Sequence, residues 1–336
     1  MDRMARNHFT PLPCAGKPTV IITNRTEHSE LNQPWFRLLC SDLHLGSACA
    51  DHDSIISQLQ QAKDIDARII INGDLFDAIG PKDRRFDLTT LHPTVCREKD
   101  LAAAIVKMAL EILMPFRDNI DVIGIGNHEE TWINYGYNDP VRRVLEELGR
   151  EGSKAKHGSF WGYIKTSFVV PGYRRRPKHK LLYLHGTGGD SPVTKGTIDF
   201  NRKGRNWVYD CLTFGHKHNL VCAVDQIADV SEAGKYTERK QLNLQTGSYY
   251  RNYRQLKDSE VLDQSYAARS AHPPKPIGGV FLCLRPKVDP ATGEIGVDQS
   301  FMSEVVAPWK KSKKAKAPAK PVRPIDKSQD FDRIDL

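Results

Sequence analysis

From residue 35 onward, short apolar runs alternate with longer segments in which apolar residues return every three or four positions. Residues 35–40, apolar but for Arg37, predict a buried strand, and residues 52–65, with Ile55, Ile56, Leu59 and Ala62 on one face, predict a helix. Residues 67–72, interrupted only by Arg68, read as a second strand. Residues 97–114 read as a long amphipathic helix that Pro115 helps to end, and 120–125 as a third strand. Asp139-Pro140 offers an N-cap and a first-turn residue for a helix running to about residue 148. This alternation of strand and helix predicts an α/β fold with parallel strands.

After Gly158 the texture changes. Residues 161–170 and 180–185 predict a hairpin whose loop carries Arg174, Arg175, Arg176, Pro177 and Lys178. Further strands are expected at 211–214, 220–224, 241–245 and 280–284, with a short helix near 193–206. The expectation is two packed sheets with helices outside, the first half of the chain mainly parallel and the second mainly antiparallel. Residues 1–34, rich in proline and polar residues, read as an N-terminal arm. Residues 35–306 read as one domain, and 307–336 as a basic, disordered tail in which no apolar period survives.

Composition narrows the picture. With 39% hydrophobic and 27% charged residues the chain has the make-up of a soluble globular protein. Its longest apolar runs, such as 101–106, are far too short to cross a bilayer, and the polar N-terminus lacks the apolar segment of a signal peptide. No membrane partner and a cytoplasmic address are therefore expected. The seven cysteines are dispersed without a C-x-x-C pair and read as reduced thiols. The net charge is +8, but nine Lys/Arg and four Asp after residue 306 supply five of those charges and leave three for the body. The tail reads either as a tether for DNA or RNA or as a solubilising segment.

Five short motifs carry the candidate chemistry, each at the C-terminal end of a predicted strand: Asp42-x-His44, Gly73-Asp74-x-x-Asp77, Gly126-Asn127-His128-Glu129, His185-Gly186 and Gly215-His216-x-His218. Open α/β sheets place their ligands at such ends. In extended backbone, residues i and i+2 point the same way, so Asp42 with His44, and His216 with His218, are expected to face one centre. Asp/Asn oxygens with imidazoles and no thiolate suit Mn²⁺, Fe or Zn²⁺ better than Mg²⁺ or Ca²⁺, with Mn²⁺ the first expectation. Asp74, central in the motif order, is placed to bridge two divalent ions, which together can clamp the oxygens of an in-line displacement at phosphorus. Asp77 reads either as a hydrogen-bond acceptor for a ligating histidine or as a helix N-cap. Arg84 and Arg85, with Lys82, are candidates to hold a substrate phosphate, a solvated charge run being their plainer reading.

This ordered set resembles the signature of calcineurin-like metallophosphoesterases, D-x-H, G-D, G-N-H-[D/E], H and G-H-x-H, over roughly residues 36–220. The resemblance implies a four-layer αββα sandwich of two mixed sheets flanked by helices. It implies one metal held by Asp42, His44, Asp74 and His218 and a second held by Asp74, Asn127, His185 and His216. His128 would be a catalytic residue rather than a ligand, and Glu129 stands where Asp is commoner. The reaction implied is hydrolysis of a phosphoester by attack of a metal-held hydroxide on phosphorus. Segments 41–46 and 73–77 resemble double-strand-break repair nucleases and equally the pyrophosphohydrolases of lipid A synthesis, and the whole is similar to phage and prophage phosphoesterases, which would work in a host cytoplasm. A phosphodiesterase or nuclease acting on DNA or RNA is the leading expectation. A phosphomonoesterase, a nucleotide pyrophosphohydrolase or a non-catalytic scaffold of the same fold are the alternatives.

Overall fold

The computed structural model describes residues 21–303 except 78–79, 84–85, 190, 192, 231–233, 235, 252, 254–272 and 291. The tail expected over 307–336 and residues 1–20 of the arm lie outside the described residues. Among the described residues twelve strands form two six-stranded sheets. The first sheet runs in the order β1 (Ile21–His28), β6 (Trp161–Val169), β7 (Lys178–Leu184), β8 (Cys211–Phe214), β10 (Tyr236–Gln245), β9 (Val221–Val230). The second runs β12 (Ile295–Met302), β11 (Val280–Val288), β2 (Trp35–Cys40), β3 (Arg68–Ile71), β4 (Ile120–Ile123), β5 (Lys156–His157). Both sheets are mixed; β2, β3 and β4 are parallel as expected, and the short β5, which was not expected, joins them in parallel. The second half of the chain is less antiparallel than its spacing implied, because β7, β8 and β10 also run parallel.

Period-two alternation sorts each strand's side chains between two cores. Leu38 and Cys40, Ile69 and Ile71, and Phe281 and Cys283 face helices α1 (His52–Asp64), α2 (Leu101–Leu113) and α4 (Pro140–Arg150). Their alternates Leu39, Ile70, Leu282 and Leu284 face the other sheet and meet Ile164, Phe168, Leu181, Tyr183 and Leu244. On the far side Leu182, Leu212 and Phe214 pack beneath Phe200 of α5 (Thr197–Gly204) and Tyr209. The result is an α/β sandwich of four layers. On α1, Ile55, Leu59 and Ala62 are buried as expected, but Ile56 points outward and Gln58 takes its place. The Gln58 carboxamide is satisfied there, its oxygen accepting from Gly279 N at 2.8 Å and from the Tyr249 hydroxyl.

Two expectations are corrected. Residues 21–28 are not a free arm: they are strand β1, paired in parallel with β6 along its whole length at the edge of the first sheet. Helix α3 (Asn127–Asn134) begins inside the Gly126-Asn127-His128-Glu129 motif, where no helix was expected. Among the described residues no helix is long and apolar enough to cross a membrane, and no disulfide joins the six described cysteines.

At the end of the sandwich away from the strand C-termini, Arg37 is fully buried between the sheets. Burial lowers its guanidinium to about 10 against the opposing pull of Asp121. Asp121 pairs with Arg37 at 3.0 Å, Arg25 at 2.9 Å and Arg68 at 2.8 Å, and Arg37 also lies 4.9 Å from the centre of the Trp35 ring. Asp121→Ala is expected to lower the unfolding free energy by about 3–5 kcal/mol, since it leaves Arg37 buried without a counter-charge. Arg37→Met, which leaves Asp121 two arginines, is expected to destabilise less. Urea unfolding of the two variants gives the order, and equal losses would show that Arg37 is not the group Asp121 neutralises.

Candidate metal centre

The loops that follow β2, β3, β4, β7 and β8 converge at one end of the sandwich. They are held to one another by backbone bonds: Asp42 N to Gly73 O at 3.1 Å, His44 N to Asp74 O at 3.1 Å, Leu45 N to Leu75 O at 2.9 Å, and Gly215 N to His185 O at 3.0 Å. Asp42, His44, Asp74, His216 and His218 all adopt left-handed backbone, with φ between 48° and 69°. The residues at i and i+2 therefore do not share a face through extended backbone, as their spacing suggested; they turn inward because the chain reverses its handedness at each. Such non-glycine conformations each cost of order 1–3 kcal/mol and persist where the surroundings enforce them.

Three groups of ligand-type atoms result. Asp42, His44 and His218 form one, Asp74, His185 and His216 another, and His44, Asp74 and His128 a third. His44 Nε2 and His218 Nε2 are 3.2 Å apart, and Asp42 Oδ1 lies 3.2 Å from the latter. His185 Nε2 lies 3.1 Å from Asp74 Oδ2, and Asn127 Oδ1 lies 2.6 Å from His216 Nδ1. All seven expected ligand positions and His128 are thus brought together, with Asp74 in two of the groups.

The donor set fits a cation. His185 Nδ1 sits 2.7 Å from the Asn72 carbonyl, which can only accept, so this nitrogen carries a proton and Nε2 is left facing Asp74 Oδ2 at 3.1 Å. With the ring neutral, Nε2 and Asp74 Oδ2 would be two acceptors facing each other in a dry site, which repel unless a proton or a cation lies between them. Without an ion a proton takes that place: burial lowers His185 but Asp74 outweighs it, raising the ring to about 10. Burial pushes Asp42 up and His218 and His185 pull it down to about 2, while Asp74, with burial likewise opposed by His185 and His128, falls well below the usual carboxylate range.

Behind the cluster stand groups that orient it. Asp74 Oδ1 accepts from His128 N at 3.0 Å, at the start of α3. The Glu129 carboxylate, fully buried, accepts from Gly126 N at 2.8 Å, Phe76 N at 2.9 Å and Asp74 N at 3.1 Å. Burial and Asp74 push Glu129 up to about 7. Asp77 Oδ1 lies 3.0 Å from His128 Nδ1 and 3.8 Å from His44 Nδ1, so its nearer partner is His128, and no helix is capped by it. Burial lowers His128, but Asp74 and Asp77 raise it to about 9. Lys82 reaches the Tyr135 carbonyl at 3.1 Å and lies over the Tyr137 ring; Arg84 and Arg85 lie outside the described residues.

Sequence reasoning missed Tyr250, whose ring stands 5.3 Å from His44 and 6.4 Å from His218, and the pair Ser41 and Thr246, whose hydroxyls are 2.6 Å apart beside Asp42. The run from Thr246 to Tyr250 follows β10 without a charged residue or a histidine to draw notice.

No protein-family profile matches the chain, and no curated protein does. Among solved structures, GAP50, the anchor in the inner membrane complex of Plasmodium, aligns at 11% identity over 78% of this chain and 86% of its own, with a TM-score of 0.39. A metallophosphoesterase from Sphaerobacter thermophilus aligns at 13% identity over 79% and 88%, with a TM-score of 0.28. At these scores the likenesses assign no family and no activity.

Gly126 is required by crowding, not by its backbone angle: a Cβ there would run into the Asp74 carboxylate. Gly126→Ala is therefore expected to displace Asp74 and reduce divalent metal bound after Mn²⁺ loading and desalting, read by elemental analysis. Gly149→Ala, in α4 with open space around it, is expected to leave metal content unchanged. Equal metal content in both variants would mean that Asp74 does not hold the ion.

Proposed function

We propose that the chain is a metal-dependent phosphoester hydrolase with a dinuclear centre, acting on phosphodiester bonds. The observation that carries this reading is the pair of His/Asp groups, Asp42–His44–His218 and Asp74–His185–His216, with Asp74 also grouped with His44. In this reading Asp42, His44, Asp74 and His218 hold one ion, and Asp74, Asn127, His185 and His216 the other. Bound divalent ions would supply Lewis-acid activation of water and neutralise charge on the phosphoryl oxygens.

The protein's own contribution is orientation and proton transfer. Asp77 fixes His128 through Nδ1 and leaves Nε2 to deliver a proton to the leaving oxygen. The His128 side chain is 16% exposed where that of His44 is 4%, so of the two it is the one that reaches the solvent side. The left-handed turns at five positions hold the donors in place before substrate arrives, which removes reorganisation from the reaction step.

Chelator treatment is expected to abolish hydrolysis of a chromogenic phosphodiester, and Mn²⁺ to restore it better than Mg²⁺. Asp74→Ala is expected to be the most damaging ligand substitution, with loss of both ions. His128→Ala should slow turnover roughly 10²- to 10⁴-fold with metal content kept. Full activity in metal-free protein would overturn the assignment, and loss of both ions from His128→Ala would make that residue structural.

A further inference from the structure

The outer face of the first sheet is covered at one end only. Helix α5 and Tyr209 shield the end beside the metal centre, and among the described residues no helix covers the rest of β1, β6 and β7. Strand register lines up Asn24, Lys165 and Lys180 in one row across that face and Thr26, Ser167 and Lys178 in the next. The hairpin tip adds Arg175 and Arg176. Thr26, Ser167, Arg175, Arg176 and Lys178 line a cavity of ≈ 540 Å³ at this end.

Most of these cations have no counter-charge. Arg175 pairs with Glu294, but among the described residues Lys165, Arg176, Lys178 and Lys180 form no ion pair. Asp210, just before β8, already pairs with Arg239 at 3.0 Å and accepts from Lys180 N at 2.7 Å. Like charges held close on one face repel, so the arrangement favours an anionic partner with several charges.

At the other end of the same face lies an aromatic patch. The Trp207 ring is 5.0 Å from that of Trp161 and 6.3 Å from that of Tyr163, and Trp207 is 42% exposed. Trp161 follows Phe160, whose carbonyl accepts from His185 N at 3.0 Å, so the patch adjoins the metal centre. From Trp161 to Ser167 β6 covers about 20 Å at ~3.3 Å per residue. An aromatic platform beside the site and a row of unmatched cations leading away from it are the two parts of a surface for single-stranded nucleic acid, on which bases stack and phosphates pair.

We propose that this face is a track that delivers single-stranded polynucleotide to the metal centre, with Lys165, Lys178, Lys180 and Arg176 on the phosphates and Trp207 and Trp161 on the bases. The proposal rests on the phosphoester hydrolase reading and names its substrate class. A duplex hides its bases from such a platform, and an anionic membrane would use the lysines but have no base to stack on Trp207.

The test is fluorescence anisotropy in chelator, so that binding is read without turnover, on the full chain with labelled oligothymidylate of about twenty nucleotides, longer than one such site. A duplex of equal length and anionic phospholipid vesicles are the comparison ligands. The triple variant Lys165→Glu, Lys178→Glu, Lys180→Glu should bind oligothymidylate at least tenfold more weakly. Its slope of log affinity against log salt should fall by about two, at ~0.7 for each phosphate no longer neutralised. The milder Lys→Gln triple variant should shift both in the same direction. Trp207→Ala should weaken single-strand binding about fivefold or more and leave duplex binding unchanged. Salt slopes equal to the unaltered protein's would overturn the track. So would vesicle binding as tight as oligothymidylate binding together with no effect of Trp207→Ala. Hydrolysis of the small chromogenic diester is expected to be unchanged in every variant; its absence from the metal-loaded unaltered protein would sink the hydrolase reading and leave the binding result standing.

Discussion

The Glu129 carboxylate is the constraint on which the rest of the site depends. It is a fully buried side chain whose oxygens take three backbone N–H groups from two separate loops, those of Asp74 and Phe76 after β3 and that of Gly126 before α3. Removing the carboxylate would leave three buried donors unpaired, each costing about 1–3 kcal/mol. The three bonds also fix the distance between Asp74 and the first turn of α3. That turn supplies Asn127 and His128, and its His128 N–H returns a bond to Asp74. One glutamate thus sets the relative positions of three residues in the candidate chemistry. Aspartate at this position, one methylene shorter, would have to draw the two loops closer to make the same bonds.

Electrostatics at the two ends of the sandwich are solved in opposite ways. At the end away from the site, three arginines surround Asp121, and the charges are satisfied within the protein. At the site end, Asp42, Asp74, Asp77 and Glu129 crowd together among imidazoles, of which burial lowers His44 and His216 while the carboxylates raise His128 and His185. At the first end each arginine finds an oxygen of Asp121, although Arg37 Nε is left without a partner among the described residues. At the second, Asp74 Oδ2 faces His185 Nε2 at 3.1 Å, and only a proton or a cation can lie between them. An incoming cation would supply what the arginines supply at the other end. It would also relieve Glu129, whose carboxyl is raised by burial and by the Asp74 charge.

Much of the fold was legible because the strands that build the centre obey a simple alternation. Residues 35–40 and 211–214 were placed as strands with the bounds they have, since both of their faces are buried and their sequences are nearly all apolar. Strand β1 escaped notice because it lies at a sheet edge, where Ile22, Asn24, Thr26 and His28 point outward and Arg25 turns inward to Asp121. Helix α3 escaped because its first turn is polar and made of motif residues, leaving Trp132 as its one buried apolar side chain. The eight clustered site residues were legible as ordered motifs, but the spacing pointed to a different cause for their convergence from the one the structure uses. Extended backbone would have aligned Asp42 with His44; left-handed backbone at both does so instead. No residue pattern announces that: aspartate and histidine enter this region more readily than most side chains, but still in a small minority of positions.

That conformation bears on what the centre is for. Five left-handed residues in adjoining loops, each at a cost of order 1–3 kcal/mol, together represent a substantial share of the roughly 5–15 kcal/mol by which a domain is ordinarily stable. Under the proposed hydrolase reading that strain would serve the ligand set: five of the nine left-handed non-glycine residues among the described residues are Asp42, His44, Asp74, His216 and His218, whose donor atoms converge, while their neighbours Leu43, Leu45 and Leu75 anchor the same loops in the core. Rigid apolar anchors beside strained polar residues are what a preorganised ligand set requires: the leucines resist the relaxation that would let the donors spread apart, and the spacing of the donors is thereby kept to within the range one ion can span.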